Sequence, residues 1–125
     1  MKRRVLVAED NSFLSEIMQK ELEALKYEVT VASNGSEAVK KAAAEVPNLI
    51  IMDLTMPELD GFEAASQIRR NPKTQAIPLL AVTALLAPEI RRRCLAGGFD
   101  GCIVKPFTAW ELDAAIKKIL KPQTI

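Results

Sequence analysis

The sequence predicts an α/β fold in which helices cover both faces of a parallel sheet. Five short aliphatic segments alternate with five segments of helical periodicity along the chain. The connections between them are short, and such alternation is typical of parallel sheets with helical crossovers. The apolar run at residues 49–52 (LIIM) contains no polar residue, which is typical of a strand buried on both faces.

Local signals place the elements of the first half of the chain. Residues 4–8 form the first predicted strand, and residues 11–26 carry apolar side chains at helical spacing. Residues 27–32 alternate between apolar and polar side chains, as a half-buried strand does. Asn34 followed by Glu37 is the pattern of a capping box, which predicts that a second helix begins there.

The second half continues the alternation after the apolar run. Strands are predicted at residues 77–82 and 101–104. The three remaining helices each begin at a residue that commonly caps or starts a helix, namely Asp60 with Glu63, Pro88, and Thr108 with Glu111 as a second capping box. The five βα units account for the chain as a single domain without internal repeats.

Composition excludes several classes of function. A net charge of +1 over 125 residues argues against nonspecific binding of nucleic acid. The chain has no histidine, so a Ser-His-Asp site, a Cys-His site and a His-ligated zinc site are all excluded. The first apolar stretch and residues 77–90 are too short for a signal peptide or a membrane span. We therefore expect a soluble, cytoplasmic protein.

Other conspicuous residues favour structural interpretations. Cys94 and Cys102 are not in metal-ligand spacing, so we expect reduced thiols in the core. The arginines at 91–93 are consecutive on a predicted helix and fan around its axis, so they form no single basic patch. Phe107 and Trp110 are predicted to pack in the core or to be partly buried.

The chemically informative residues follow the predicted strands. Glu9 and Asp10 follow the first strand, and Asp53, Thr83 and Lys105 stand at the ends of the third, fourth and fifth. The carboxyl ends of parallel strands meet at one edge of a sheet, so these groups should lie together. Three clustered carboxylates repel one another unless a cation joins them, and a small all-oxygen site favours Mg²⁺. Metal and ammonium together suit an incoming phosphoryl group, with a carboxylate as nucleophile.

Four segments resemble a known family. VLVAEDN at residues 5–11, IIMDLTMPELDG at 50–61, LLAVTA at 79–84 and IVKPF at 103–107 are similar to the receiver domain of two-component response regulators. The resemblance covers essentially the whole chain. It implies a flavodoxin-like, doubly wound (βα)5 sandwich whose parallel sheet has the strand order 2-1-3-4-5, with the receiver domain at residues 1–121 and a tail at 122–125.

The resemblance also assigns roles to residues. Asp53 would accept a phosphoryl group from a sensor histidine kinase or a phosphotransfer protein. Lys105 would contact the phosphoryl oxygens, Thr83 would move toward them, and the peptide bond from Lys105 to Pro106 would be cis. The Mg²⁺ ligands would be Asp10, Asp53, the backbone carbonyl of Thr55 and, mostly through water, Glu9.

The implied function is a phosphorelay switch in signal transduction. Such a domain is not an enzyme beyond its own phosphorylation and dephosphorylation. Phosphorylation would remodel the surface formed by the fourth helix, fifth strand and fifth helix, at residues 87–120, which would meet a downstream protein, an output domain or a second copy. No direct contact with nucleic acid or membrane is expected.

Two features depart from the family pattern. Many members carry an aromatic residue three positions before the lysine, where this chain has Cys102, and a thiol cannot cover the same surface. Thr55 and Leu85 occupy the positions that tune dephosphorylation in the family. An apolar Leu85 would hinder attacking water, so we expect a persistent phospho-form, which its half-life would test.

Alternative interpretations stay open from the sequence. Asp53 and the Glu9–Asp10 pair are each compatible with an ordinary turn or cap. A phosphatase of the haloacid dehalogenase type would need a second acid at position 55, where Thr55 stands. A flavin or nucleotide binder would need a Gly- or hydroxyl-rich loop after the first strand. A receiver-like fold that is not phosphorylated is favoured only by Cys102.

Overall fold

Five parallel strands form a single sheet in the order β2-β1-β3-β4-β5. The structure is a computed structural model that describes residues 2–56, 59–84 and 87–120. The strands are β1 (Arg4–Ala8), β2 (Glu28–Ala32), β3 (Leu49–Asp53), β4 (Leu79–Thr83) and β5 (Gly101–Val104). The helices are α1 (Ser12–Ala24), α2 (Gly35–Glu45), α3 (Gly61–Arg70), α4 (Pro88–Ala96) and α5 (Ala109–Ile119). The predicted fold class and strand order are confirmed.

The helices cover the two faces of the sheet unequally. One face packs against buried residues of α2, α3 and α4, and the other against α1 and α5. Alternate residues of each central strand enter the two clusters, so Ile50 faces the first and Ile51 the second. Every residue of β3 is buried, as the run without polar residues predicts. Within the described parts of the chain, no helix is both long and apolar enough to cross a membrane.

The predicted caps are present with one change of partner. Thr108 and Glu111 form a complete capping box at the start of α5. Asn34 accepts a hydrogen bond from the Glu37 amide at 2.8 Å. The Glu37 carboxylate, however, accepts from the amide of Ser33 at 3.0 Å, one residue before the cap. The helix still begins where the sequence predicts, because the Asn34 side chain satisfies the exposed amide.

The fourth strand begins two residues later than predicted. Proline has no amide hydrogen and cannot donate to the sheet, and Pro78 precedes the strand. The amide of Ile77 donates instead to the carbonyl of Thr74 in a turn, at 3.0 Å. The strand therefore runs over Leu79–Thr83, and Thr83 is its last residue.

Arg69 connects α3 to the segments that precede β4 and β5. Its guanidinium donates to the carbonyls of Gln75, Ile77 and Gly98, and it also pairs with Asp100 at 3.1 Å. Asp100 in turn accepts from the amide of Leu79 at 2.9 Å. These bonds hold the turns before β4 and β5 in place and so fix where β4, the strand that carries Thr83, begins.

Gly61 is expected to tolerate no side chain. A Cβ there would lie 2.6 Å from the carbonyl oxygen of Asp53 and 2.8 Å from Cα of Leu54. Backbone atoms cannot yield as side chains do, so we expect Gly61→Ala to lower the free energy of unfolding by about 3 kcal/mol. Urea denaturation measures this change.

Gly101→Ala is the matched control for that variant. A Cβ at Gly101 would also make a contact of 2.8 Å, but with Cδ1 of Ile119, the flexible end of a side chain. We expect a loss below about 1 kcal/mol, because the Ile119 side chain can rotate away. Equal losses for the two variants would contradict the distinction between backbone and side-chain obstruction.

Glu21 on α1 is expected to reduce stability at neutral pH. Its Oε2 atom is buried and has no hydrogen-bond partner among the described residues, and burial raises the pKa of this carboxyl above 4.5. Well below pH 4.5 the carboxyl is protonated in both the folded and the unfolded state, and the cost of the buried charge appears as pH rises through the pKa of the unfolded state toward the raised pKa of the folded state. Glu21→Gln should therefore raise the free energy of unfolding at about pH 7 by up to about 1 kcal/mol.

Urea denaturation at about pH 4 and about pH 7 tests this expectation. The gain from Glu21→Gln should shrink at the lower pH. Glu16→Gln is the control, since the Glu16 side chain is 67% exposed and pairs with Lys20 at 3.7 Å. A pH-dependent gain of the same size in the control would assign the effect to general charge reduction instead.

Candidate functional site

The residues predicted at the strand ends do assemble at one edge of the sheet. β1 is followed by Glu9, β3 ends in Asp53, and β5 is followed by Lys105. β1 and β3 are neighbours although β2 lies between them in sequence, so the edge between them is the point where the strand order reverses. Glu9 is 3% exposed and Asp53 is 6% exposed. Two carboxylates are thus buried at the position where doubly wound sheets form their sites.

Lys105 joins the two buried carboxylates. Its Nζ atom lies 2.8 Å from Oε1 of Glu9 and 2.9 Å from Oδ2 of Asp53. Burial alone would lower the pKa of Lys105, but the hydrogen bonds and charges of Glu9 and Asp53 raise it above its ordinary value. Lys105 is therefore a permanent cation in the site at neutral pH.

The buried environment of Glu9 disfavours the charged form of its carboxyl group. Burial raises the pKa of the Glu9 carboxyl, against the hydrogen bonds from Lys105 and from the Asn11 amide, which lower it. The amide of Asn11 donates to Oε2 of Glu9 at 3.2 Å. The Asn11 side chain also caps α1 by accepting from the amides of Phe13 and Leu14, so the same residue starts the helix and supports the acid.

Glu9, Asp10 and Asp53 form a candidate metal site. Each offers a carboxylate oxygen, and these oxygens all lie within 4.8 Å of one another. Asp10 is exposed, whereas the other two are buried, so the cluster opens to solvent on one side. Hard oxygen donors of this kind fit Mg²⁺ or a similar divalent ion, and a divalent charge would relieve the repulsion among them.

Two threonines lie near Asp53: Thr55 follows it by two residues in the chain, and Thr83 ends the neighbouring strand β4. The Thr55 amide donates to Oδ1 of Asp53 at 3.0 Å, which orients the carboxylate. Thr83 is 9% exposed, and its carbonyl accepts from the Lys105 amide at 2.8 Å. Asp53 pairs in register with Val82, so Thr83 follows directly beyond it on the neighbouring strand. Both threonines also line a cleft of about 290 Å³ next to the site.

Several sequence-based expectations around the site have clear outcomes. The Lys105–Pro106 bond is cis, as the resemblance implies. The metal role of the Thr55 carbonyl stays a prediction. Leu85, on which the expected persistence of the phospho-form depends, lies outside the described residues, as do residue 121 and the predicted tail at 122–125.

The prediction for Trp110 is wrong. Its side chain is 84% exposed, because Leu112 and Ile116 define the buried stripe of α5. A residue two positions before Leu112 lies about 200° around the helix and faces away from the sheet. Phe107 does pack partly buried against the core, as expected.

Sequence reasoning missed three contacts that involve conspicuous residues. The arginines at 91–93 are exposed as predicted, but the Arg93 guanidinium also stacks over the ring of Phe62 at 4.0 Å. Cys94 is buried and Cys102 is partly buried, and their sulfurs lie 3.9 Å apart, while their reduced state stays a prediction. The hydrogen bond from the Asn11 amide to Glu9 could have been predicted from the sequence, because an N-cap residue directly after a pair of acids places its backbone amide near those acids.

Comparison with known proteins agrees with this geometry. Residues 5–117 match the family model described as "Response regulator receiver domain". The alkaline phosphatase synthesis transcriptional regulatory protein PhoP of Bacillus subtilis (strain 168) is 36% identical over 125 residues, which is 100% of this chain and 51% of that protein. The chain therefore spans about half the length of the curated relatives it matches.

Solved structures show the same architecture. The chemotaxis protein CheY4 of Vibrio cholerae superposes with a TM-score of 0.92 at 30% identity, covering 96% of this chain and 100% of that one. The receiver domain of sensor histidine kinase PA1611 from Pseudomonas aeruginosa PAO1 has a TM-score of 0.88 at 30% identity, covering 95% and 98%. The chain belongs to the receiver domain family of two-component response regulators, whose members act in phosphorelay signalling.

Proposed function

We propose that Asp53 accepts a phosphoryl group from a sensor histidine kinase or a phosphotransfer protein. The observation that carries this proposal is the bridge from Lys105 Nζ to Glu9 and Asp53, at 2.8 and 2.9 Å. It holds a cation against a carboxylate nucleophile, which is what the transfer of a charged phosphoryl group requires. The chain has no histidine, so the phosphohistidine donor lies outside these 125 residues.

The proposed transfer forms one bond and breaks one bond. An Asp53 carboxylate oxygen attacks phosphorus, and the P–N bond to the donor imidazole breaks with its electron pair retained by nitrogen. The Thr55 amide holds Oδ1 of Asp53 at 3.0 Å and so limits the rotation of the carboxylate. Lys105 moves from the Asp53 carboxylate to the phosphoryl oxygens, and the Thr83 hydroxyl approaches them from the neighbouring strand.

The acidic cluster fits Mg²⁺ as the cofactor of this reaction. The side chains of Asp10 and Asp53 and the carbonyl of Thr55 would hold the ion, with Glu9 acting through water. When bound, Mg²⁺ would supply charge neutralisation at the phosphoryl oxygens. The related receiver domain of PA1611, described with a magnesium ion coordinated in its active site cleft, supports this assignment.

The chain would act as a cytoplasmic switch, with no catalysis beyond its own phosphorylation and dephosphorylation. Thr83 would report the phosphoryl group to the surface formed by α4, β5 and α5. That surface exposes Leu95 at 67%, Val104 at 37% and Trp110 at 84%, which are apolar groups suited to a protein partner. The partner would be a downstream protein or an output domain, and this domain would contact neither nucleic acid nor membrane.

Intact mass spectrometry tests the proposed function. The protein is incubated with acetyl phosphate and Mg²⁺, with and without excess chelator, and then weighed. We expect a gain of one phosphoryl group that requires the metal and is removed by hydroxylamine, which cleaves acyl phosphates. A folded protein that binds Mg²⁺ but gains no mass, from acetyl phosphate or from a panel of phosphorylated histidine kinases, would overturn the proposal.

A further inference from the structure

Two thiols, one from α4 and one from β5, face each other beneath the surface formed by α4, β5 and α5. Cys94 of α4 and Cys102 of β5 have their sulfurs 3.9 Å apart. Cys94 is 2% exposed, whereas Cys102 is partly exposed and thus within reach of a small molecule. Cys102 lies opposite Ala81 of β4 in the sheet register, so the pair lies between a helix and the sheet edge.

We propose that Cys94 and Cys102 form a reversible intramolecular disulfide that ties α4 to β5. A disulfide has a sulfur–sulfur bond of about 2.05 Å, so the two sulfurs must approach by about 1.9 Å. Side-chain rotation with a small shift of the nine-residue helix α4 can supply this movement. The turn between the cysteines contains Gly97 and Gly98, and Arg69 donates to the Gly98 carbonyl at 2.7 Å, so the movement falls to the side chains and to α4 rather than to this turn.

A small disulfide such as oxidised glutathione is the oxidant. The Cys102 thiolate attacks one glutathione sulfur, forming a mixed disulfide and releasing one glutathione thiolate. The Cys94 thiolate then attacks the Cys102 sulfur and displaces the second glutathione. The two cysteines lose two protons and two electrons in total, and one glutathione disulfide becomes two glutathione thiols.

The surroundings make this oxidation slow and selective. Burial, followed by the neighbouring Cys94, raises the pKa of the Cys102 thiol to about 12. Only a small fraction is thiolate at neutral pH, so the first attack on the oxidant should be slow and should require oxidant that persists. Once the first sulfur has reacted, the second lies at contact distance, which favours ring closure over a lasting mixed disulfide.

The disulfide would restrain the surface proposed above for partner binding. α4 and β5 both contribute to it, and a covalent tie between them limits any displacement of the helix. This consequence depends on the proposed function, whereas formation of the disulfide does not. Oxidised and reduced protein should both accept a phosphoryl group, because neither cysteine belongs to the acidic cluster.

Thiol counting on the full chain tests the inference. The protein is held in glutathione buffers of increasing oxidising strength, quenched in acid, unfolded, treated with N-ethylmaleimide and weighed. We expect a monomer that takes no label and is two hydrogens lighter, and dithiothreitol should return it to a protein that takes two labels. A lasting single glutathione adduct, a disulfide-linked dimer, or two labels in the most oxidising buffer would overturn the proposal.

Single variants identify the partners. Cys94→Ala should accumulate the glutathione adduct on Cys102, because no second thiol resolves it. Cys102→Ala should keep its buried Cys94 available for label after unfolding. Amide hydrogen exchange supplies the readout of the tie: exchange in α4 should slow on oxidation of the parent and stay unchanged in Cys102→Ala. Oxidation without slower exchange in α4 would refute the tie.

Discussion

Asp53→Asn will take up no phosphoryl group from acetyl phosphate in the presence of Mg²⁺. An amide oxygen carries no negative charge and is a poor nucleophile, and Asp53 is the carboxylate that Lys105 and the Thr55 amide both hold. The loss should be complete within the detection limit of intact mass spectrometry. The fold should persist, because the substitution preserves the shape of the side chain and Lys105 keeps its bond to Glu9.

The matched control for this variant is Asp113→Asn. Asp113 lies on α5, where it pairs with Lys117 at 3.0 Å, so the same chemical change is made outside the acidic cluster. Its phosphoryl uptake should equal that of the parent. Persistent uptake by Asp53→Asn, mapped to Glu9 or Asp10 in proteolytic fragments, would show that another acid of the cluster is the acceptor.

Lys105→Met should have the second largest effect. It should lower the free energy of unfolding in the absence of metal and raise the affinity for Mg²⁺. Without metal, two carboxylates whose side chains are 2% and 7% exposed lose their cation. Removing one partner from a buried ion pair strongly lowers the free energy of unfolding. Because Lys105 is partly exposed, we expect a smaller loss of about 2 kcal/mol. Affinity for Mg²⁺ should rise about tenfold, because no ammonium competes for the carboxylates.

Phosphorylation of Lys105→Met should nevertheless be slower than that of the parent, since the ammonium that would follow the phosphoryl oxygens is gone. Denaturation in chelator, calorimetric titration with Mg²⁺ and the rate of mass gain measure the three effects. Lys117→Met removes an exposed lysine whose side chain is 73% exposed, and its stability should change by less than about 0.5 kcal/mol. Weaker Mg²⁺ binding by Lys105→Met would contradict the competition between ammonium and metal.

The elements of the fold were predictable because their signals are local. The caps at Asn34, Asp60 and Thr108 all satisfy amides within three residues along the chain. Such bonds depend on residue type and spacing alone, so reading them from the sequence succeeds. The late start of β4 after Pro78 and the shifted partner of Glu37 show the limit of this approach: the element is predictable, but its exact first bond depends on neighbouring strands and turns.

The sequence predicted which residues gather at the candidate site, but it did not predict which of them form ion pairs with one another. Acids, a threonine and a lysine at strand ends indicate a common edge, because parallel strands all end on the same side. The strand order itself was carried over from the family resemblance. The bridge from Lys105 to Glu9 and Asp53 spans 96 and 52 residues of chain, and no local rule pairs residues at that distance.

The sequence by itself determined the alternation of strands and helices, their caps and the residue types delivered to one edge. Only the tertiary structure decided that Lys105 binds two acids at once, that Trp110 faces away from the sheet, and that Cys94 meets Cys102. The physical reason is the range of the interactions. Local hydrogen bonds depend on neighbours along the chain, whereas salt bridges, exposure and thiol contacts depend on how whole elements pack against one another.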